Sequence, residues 1–314
     1  MNRRLVRFVL GLLVGMALLF AVARFINLAT ALEKFEDYPW PQLGVVLALS
    51  LVYYLLKALR WHYFLSVVDI RLPLRRSLLI YIAGQWFAIT PAGEFVRAYL
   101  LKMDGFSFSR GSAVVTAQVL FDFLSLAIVG SVSVFWYHEM AVVILPFTVA
   151  LAVGILAFAY GPTLGEGRWL PFVGGRKRFL GKSWEDFYLH SRHLLGWTPL
   201  AIGLAYALPT VLAGAAVLFW VSQGYQIDLS FGQSAYIYSV SQLVGALSML
   251  PHGLGAIEGS SVALFTYVGA DAAYAASAVA LFRLCTLGWG LVLGGVSLLV
   301  LRTPLAGVSS ARVD

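Results

Sequence analysis

Charged residues are scarce in this chain, since Asp, Glu, Lys and Arg together make up only 12% of its 314 residues. A soluble domain of ordinary composition carries about 25% charged residues. Hydrophobic residues make up 60% of the chain, and the mean hydropathy is +0.84. The composition excludes an ordinary soluble domain. It predicts an all-α polytopic membrane protein in which residues 1–314 form a single transmembrane domain.

Cysteine and histidine are also rare, with one cysteine, Cys285, and five scattered histidines. A single cysteine excludes an intrachain disulfide. No acidic pair has the spacing of metal ligands, so we expect neither a metal nor another cofactor. No nucleophile or poised acid-base pair stands out, which argues against an enzyme.

Acidic residues are fewer than basic ones, and the net charge is +7. No soluble basic domain is present to hold a duplex, so we expect no nucleic-acid partner. The basic residues instead collect between apolar stretches, as they do in the cytoplasmic loops of membrane proteins. The expected partners are therefore the lipid bilayer and a membrane lipid substrate.

Six apolar stretches approach or exceed the roughly 20 residues that cross a bilayer. The first resembles a secretory signal, but its length favours a retained helix. Two other stretches, near 77–103 and 233–268, are apolar but interrupted. The six candidate spans lie near residues 5–26, 42–68, 112–137, 140–160, 198–221 and 273–301.

Proline and glycine mark both interruptions, and a glutamate follows each of them. Proline cannot continue a helix and glycine allows turned backbone, so each stretch is predicted to form two half-helices. Non-helical backbone at membrane depth is tolerated where it lines a cavity. We therefore expect a substrate site beside these predicted helix breaks, which contain Pro91, Gly93, Glu94, Pro251, His252, Gly253, Gly255 and Glu258.

Loop charge predicts the topology of the interrupted stretches. If both are re-entrant, nearly all basic loops lie in the cytoplasm, whereas a single crossing by residues 77–103 would place a connector with six basic residues outside. We therefore predict a cytoplasmic-membrane protein with six full spans, two re-entrant hairpins and both termini in the cytoplasm.

This topology divides the chain into two inverted repeats, about residues 1–137 and 140–301. The connector between them, at about 161–197, mixes aromatic with basic residues. It is either an amphipathic helix on the cytoplasmic membrane surface or a partly ordered basic loop. Inverted repeats with broken helices are typical of secondary transporters, whose substrate site lies between the repeats.

Ionisable residues within apolar stretches are candidates for function, because each costs at least about 2.5–3.5 kcal/mol at the bilayer centre. Such side chains normally face a wet cavity or pair with opposite charges. We expect Asp122 to pair with Arg60 or Arg97, and Glu258 with Arg283. The candidates are Lys57, Arg60, Glu94, Arg97, Asp122, Glu258 and Arg283.

Several of these candidates have a structural alternative. Lys57 can extend its amine toward the cytoplasm, whereas Arg60 is better suited to bind phosphate with two hydrogen bonds. Glu94 and Arg97 are three residues apart, which fits either a local ion pair or an anion site at the start of a half-helix. His252 is either a hydrogen-bonding turn residue or a proton switch.

The first break and the residues after it, Thr90-Pro91-Ala92-Gly93-Glu94-Phe95-Val96-Arg97, resemble a signature of the lysylphosphatidylglycerol synthase transmembrane-region family, also called flippase-like proteins. The segment from Pro251 to Glu258 is similar to that family's second motif, and Arg283 matches an arginine of its last helix. Two positions depart from the family pattern. Gln118-Val119 replaces a frequent Glu-Arg pair, and His252 replaces a small residue.

The resemblance implies a lipid flippase or scramblase rather than an aminoacyl transferase. Its substrate would be a phosphate-bearing lipid: an aminoacyl-phospholipid, an anionic phospholipid or a polyprenyl-phosphate carrier. Arginines in a cavity replace the hydration of a phosphate. A small-solute or ion-coupled transporter and a lipid-modifying membrane enzyme are the alternatives. The predicted substrate-binding residues are Lys57, Arg60, Glu94, Arg97, Asp122, His252, Glu258 and Arg283.

Overall fold

A computed structural model describes residues 38–90, 93–132, 141–160, 177–248 and 250–302, and all regular structure within these ranges is helical. Short 3₁₀ turns occupy Gly93–Phe95 and Pro251–Gly253, and a π-helical segment occupies Leu284–Gly288. The helices are α1 (Trp40–Val67), α2 (Leu74–Gln85), α3 (Val96–Met103), α4 (Phe108–Val132), α5 (Ala141–Tyr160), α6 (Lys177–Leu194), α7 (Trp197–Gly224), α8 (Phe231–Leu247), α9 (Ala256–Tyr267), α10 (Ala272–Arg283) and α11 (Trp289–Arg302).

Four helical units of the described chain are long and apolar enough to cross a membrane. They are α1, α4, α7 and the continuous unit Ala272–Leu301, which joins α10 to α11 through the π segment. They match the predicted spans at 42–68, 112–137, 198–221 and 273–301. The predicted span at 140–160 corresponds to α5, whose 20 residues are almost all apolar. The predicted span at 5–26 and the segment 133–137 lie outside the described residues.

Each interrupted stretch contains two α-helices, and the described residues between them are not α-helical. The first interruption lies between α2 and α3, where Gly93 approaches the Phe87 carbonyl too closely for any side chain. Pro91 lies outside the described residues. In the second, between α8 and α9, Gly253 and Gly255 have φ values of 63° and 83°. Glycine adopts that left-handed backbone without a steric penalty, which explains its place in this break.

The helices of the two halves of the chain follow the same spacing before their breaks. Both α1 and α7 contain 28 residues and they begin 157 positions apart, as do α2 and α8. The residues Asp69 and Gln226, which follow α1 and α7, both have positive φ and are also 157 positions apart.

A second constant spacing applies after the breaks. The ends of α3 and α9 are 164 positions apart, and so are the starts of α4 and α10. Gly105 and Gly269, both with positive φ, lie in the corresponding connections. The seven-residue difference between the two spacings arises because α8 and α9 are longer than α2 and α3 by five and four residues, while the break between them is two residues shorter.

Packing between the two halves is reciprocal. Helix α1 runs along α7, α2 of the first half packs against α11 of the second, and α8 of the second half packs against α4 of the first. Buried Phe64 and Phe121 hold α1 against α4, with ring centroids 5.1 Å apart. This reciprocal packing brings both interrupted segments to the same central space.

Part of the predicted connector forms the helix α6, which packs against α4. Asp186 of α6 accepts a hydrogen bond from Ser107 at 3.1 Å and lies 3.5 Å from Arg110 Nε. Trp184 and Leu189 of α6 are exposed. Of the two alternatives for the connector, the helix is observed for residues 177–194, whereas residues 161–176 lie outside the described part.

Candidate functional site

A cavity of about 520 Å³ lies where the two interrupted segments meet. The first segment contributes Gly93 and Glu94 to its wall, and the second contributes Pro251 and His252. The rest of the wall comes from α1, α2, α3, α4, α7, α8, α9, α10 and the π segment. The breaks recognised in the sequence therefore line one shared space, although they are more than 150 residues apart.

Arg97 lies in the first turn of α3, and several groups fix its side chain. Its guanidinium is paired with the Glu94 carboxylate, and its Nε donates a hydrogen bond to the Tyr81 carbonyl at 3.2 Å. The same guanidinium lies 4.2 Å from the centroid of the Tyr81 ring. Arg97 is only 1% exposed, so its position is set by the protein and its remaining hydrogen-bonding capacity faces the cavity.

Asp122 of α4 binds two cations of α1. The pair with Arg60 was one of the two expected alternatives, whereas the pair with Lys57 was not predicted. Lys57 Nζ is 2.9 Å from Asp122 Oδ2, and Arg60 is paired with Oδ1. Lys57 and Asp122 line the cavity, whereas Arg60 is completely buried and lies behind them. Arg60 was predicted to bind substrate directly, but the structure places it where it holds Asp122.

Gln118, at one of the positions that depart from the family pattern, also joins α4 to α1. Its side-chain amide donates a hydrogen bond to the Lys57 carbonyl at 2.9 Å. A neutral hydrogen bond therefore replaces part of the charge network that a Glu-Arg pair would provide. Asp122 is therefore the carboxylate of α4 that pairs with both Lys57 and Arg60.

Arg283 and Glu258 form the expected pair in the second half. Arg283 Nε is 2.5 Å from Glu258 Oε1, and the other carboxylate oxygen accepts a hydrogen bond from the Gly255 backbone at 2.6 Å. Glu258 therefore binds the free N–H at the start of α9 and orients Arg283. Arg283 lines the cavity, whereas Glu258 is buried behind it.

His252 lies in the 3₁₀ turn of the second break, with a φ of 50°. Its backbone carbonyl accepts a hydrogen bond from Arg283 Nη2 at 3.3 Å, and its side chain lines the cavity. The backbone of this break therefore positions the same arginine that Glu258 holds. Because the backbone makes this contact, both roles considered for the His252 side chain stay open.

The charges around the cavity sum to a small positive value. Three cations line it, Lys57, Arg97 and Arg283, with two carboxylates, Glu94 and Asp122. Adding the buried Arg60 and Glu258 gives four cations and three carboxylates, a formal charge of +1. All three carboxylates are paired with arginines of the chain. The arrangement favours an anion.

Six tyrosine and glutamine residues of the wall were not recognised in the sequence. Tyrosine and glutamine in apolar stretches do not stand out as charges do, although Tyr53 lies four residues before Lys57 and therefore on the same helical face. The Tyr53 ring lies 4.8 Å from Lys57 Nζ. The six residues are Tyr53, Tyr54, Tyr81, Gln85, Tyr238 and Gln242.

Comparison with known proteins agrees with the motif resemblance. A sequence model of the lysylphosphatidylglycerol synthase TM region matches residues 8–295. The chain belongs to this family. Two relatives from Methanothermobacter thermautotrophicus, each called a UPF0104 membrane protein, are 24% and 27% identical to it. Their alignments cover 76% and 88% of this chain, and 79% and 88% of the relatives.

Family membership and the helical spans together identify an integral multi-pass membrane protein. The family is consistent with a function related to membrane lipids. Among the residues that the structure describes, no group of three His, Cys, Asp or Glu side chains could hold a metal ion.

Proposed function

We propose that this protein of the lysylphosphatidylglycerol synthase TM-region family is a lipid flippase or scramblase. It moves a phosphate-bearing lipid between the two leaflets without changing it covalently. The observation that carries the proposal is the shared cavity, which both Arg97 and Arg283 line. Arg97 follows the first break in the sequence, and Arg283 of α10 contacts the second break through the His252 carbonyl. Each arginine is oriented by its own glutamate, Glu94 or Glu258.

A phosphate needs such a site because its hydration shell must be replaced before it enters hydrocarbon. Guanidinium groups form charge-assisted hydrogen bonds with phosphate oxygens in fixed geometry. Both arginines are at least nine-tenths buried and already oriented, so binding costs little side-chain entropy. The lipid's chains remain in the bilayer while the head group occupies the cavity.

The proposed topology has six full spans, two re-entrant hairpins and two inverted repeats, in the cytoplasmic membrane with both termini in the cytoplasm. The reciprocal packing of α2 on α11 and α8 on α4 supports the repeats. The two constant spacings, 157 before the breaks and 164 after them, support them as well. In such an arrangement the site lies between the repeats.

Reconstitution into liposomes tests the function. The vesicles contain a panel of fluorescent lipids: an anionic phospholipid, an aminoacyl-phospholipid and a polyprenyl phosphate. Quenching of the label in the outer leaflet then reports the fraction of lipid that exchanges. We expect exchange of at least one phosphate-bearing lipid, and mass spectrometry should recover that lipid unchanged.

Arg97→Ala and Arg283→Ala are expected to abolish exchange while leaving the protein inserted. Arg76→Ala is the matched control, because Arg76 pairs with Asp104 at 2.6 Å and does not line the cavity. No exchange of any lipid by folded wild-type protein would overturn the proposal. Uptake of water-soluble phosphate compounds without lipid exchange would instead identify a solute transporter.

A further inference from the structure

Two glutamines lie at matching positions in the two halves of the cavity wall. Gln85 is the last residue of α2, Gln242 lies in α8, and they are 157 positions apart, the spacing that relates these helices. Tyr81 and Tyr238 repeat the same relation one helical turn earlier. All four residues line the cavity, so each half contributes one tyrosine and one glutamine on a single helical face.

The amide of Gln85 has no hydrogen-bond partner among the described residues, although the residue is only 7% exposed. The Gln242 side chain likewise makes no hydrogen bond within the described part of the chain. Neither amide is sealed off from the cavity, since Gln85 is 7% exposed and Gln242 is half-buried, and both residues line it. Both groups therefore have donors and acceptors available to a molecule in the cavity.

The cations and carboxylates of the site differ in this respect, because they already bind one another. Glu94 is paired with Arg97, and Asp122 with Lys57. A cationic head group would have to compete with these cations for a carboxylate. The arginines keep N–H donors for a phosphate, whereas the two amides are neutral and both donate and accept.

We propose, building on the proposed lipid transport, that Gln85 and Gln242 bind the hydroxyl groups of a polyol or sugar attached to the phosphate. A hydroxyl donates and accepts as an amide does, whereas a quaternary amine does neither and would leave both amides unsatisfied. Tyr81 and Tyr238 flank this neutral part of the head group. The substrate class is a hydroxyl-bearing phosphodiester lipid, carried either by diacylglycerol or by a polyprenyl chain.

Binding of short-chain lipids to the purified full-length protein in detergent tests this inference separately from transport. Dioctanoyl phosphatidylglycerol is compared with dioctanoyl phosphatidylmethanol, which has the same charge but no hydroxyl. A citronellyl phosphoglucose and the methyl ester of citronellyl phosphate form the prenyl pair. We expect the hydroxyl-bearing lipid of at least one pair to bind about tenfold more tightly, as two or more neutral hydrogen bonds predict.

Gln85→Leu and Gln242→Leu should each reduce this preference about threefold, and the double variant should abolish it. Gln85→Asn, which keeps a polar side chain but shortens it, should also weaken the preference. The control Gln226→Leu, in the exposed connection after α7, should retain it.

The outcomes separate this inference from the function on which it rests. Equal affinity for both members of each pair, or a full preference in the double variant, would overturn the hydroxyl assignment while phosphate transport stands. If no phosphodiester binds and no lipid is exchanged, the phosphate site itself is wrong and both proposals fall.

Discussion

The side chain of Arg97 passes directly over Gly84. A Cβ atom at Gly84 would lie 2.5 Å from Arg97 Cγ and 2.6 Å from its Nε, so only glycine leaves room for the arginine. A residue of α2 with no side chain therefore determines where the guanidinium of α3 is held. The arginine in turn contacts the Tyr81 carbonyl one turn earlier on the same helix.

We expect Gly84→Ala to displace Arg97 and to reduce lipid exchange at least tenfold. Replacement of glycine by alanine in a helix ordinarily stabilises by about 1 kcal/mol, so loss of exchange in a folded protein would be a local effect. Gly44→Ala is the control, since an added Cβ at Gly44 meets nothing within 4 Å. Equal exchange by both variants would show that the position of Arg97 does not matter.

Asp122→Asn should lower the free energy of unfolding by on the order of 2–3 kcal/mol. This is less than for a fully buried pair, since the Asp122 side chain is 24% exposed. The loss arises because Arg60 is completely buried, and its Nε and Nη1 make no hydrogen bond to a described residue. Thermal unfolding in detergent measures the effect. Lys57→Met should be milder, because it leaves the Arg60–Asp122 pair intact.

Glu258→Gln and Glu258→Ala should separate two functions of this side chain. Glutamine retains an acceptor for the Gly255 N–H but removes the charge that holds the buried Arg283, so exchange should fall and the free energy of unfolding should drop by about 3–5 kcal/mol. Alanine removes both contacts, and an additional loss of about 1 kcal/mol is expected for the lost cap. Identical unfolding temperatures for the two variants would contradict the capping contact, which is 2.6 Å long in the structure.

Tyr54→Phe should loosen the π segment that follows Arg283. The Tyr54 hydroxyl donates a hydrogen bond to the Thr286 carbonyl at 2.9 Å. We expect a loss of about 1 kcal/mol and faster amide exchange at Leu284–Gly288, measured by hydrogen–deuterium exchange. The exposed Tyr99 provides the control Tyr99→Phe, for which the exchange of this segment should not change.

Single-cysteine labelling can test the inverted topology. Arg71 and Asp228 are both exposed, they follow α1 and α7, and they are 157 positions apart. In a Cys285→Ser background, Arg71→Cys should react only after the cytoplasmic face is made accessible, whereas Asp228→Cys should react from outside. Labelling of both from the same side would exclude inverted repeats.

The site residues that could be predicted from the sequence are those that interrupt an apolar stretch with a charge, a proline or a glycine. Charges and proline-glycine breaks are conspicuous within apolar stretches, so Arg97, Arg283 and the interruptions were found, and charge matching gave the Glu258–Arg283 pair. The sequence could not predict which of the charged side chains line the cavity and which lie behind them. Helical spacing places Lys57 and Arg60 on one face, but only packing against α4 decides that Arg60 lies behind Asp122.

The neutral residues of the wall were missed for a different reason. Tyrosine and glutamine occur in packed or interfacial positions of many membrane helices, so neither residue type identifies a cavity by itself. The constant spacing that pairs Gln85 with Gln242 is hidden, because the offset between the two halves changes from 157 to 164 across the breaks and no single offset aligns them. The role of Gly84 can be recognised only when the path of the Arg97 side chain over it is known.

The formal charge of +1 on the cavity has an electrical consequence. A bound phosphodiester carries one negative charge, so the loaded site is neutral and the empty site is not. The membrane potential contributes about 2.3 kcal/mol per elementary charge for every 100 mV. Under the proposed function, a rearrangement that carries the loaded site across the membrane field would be insensitive to voltage, whereas movement of the empty, positive site would be favoured toward the negative side of the membrane and opposed in the other direction.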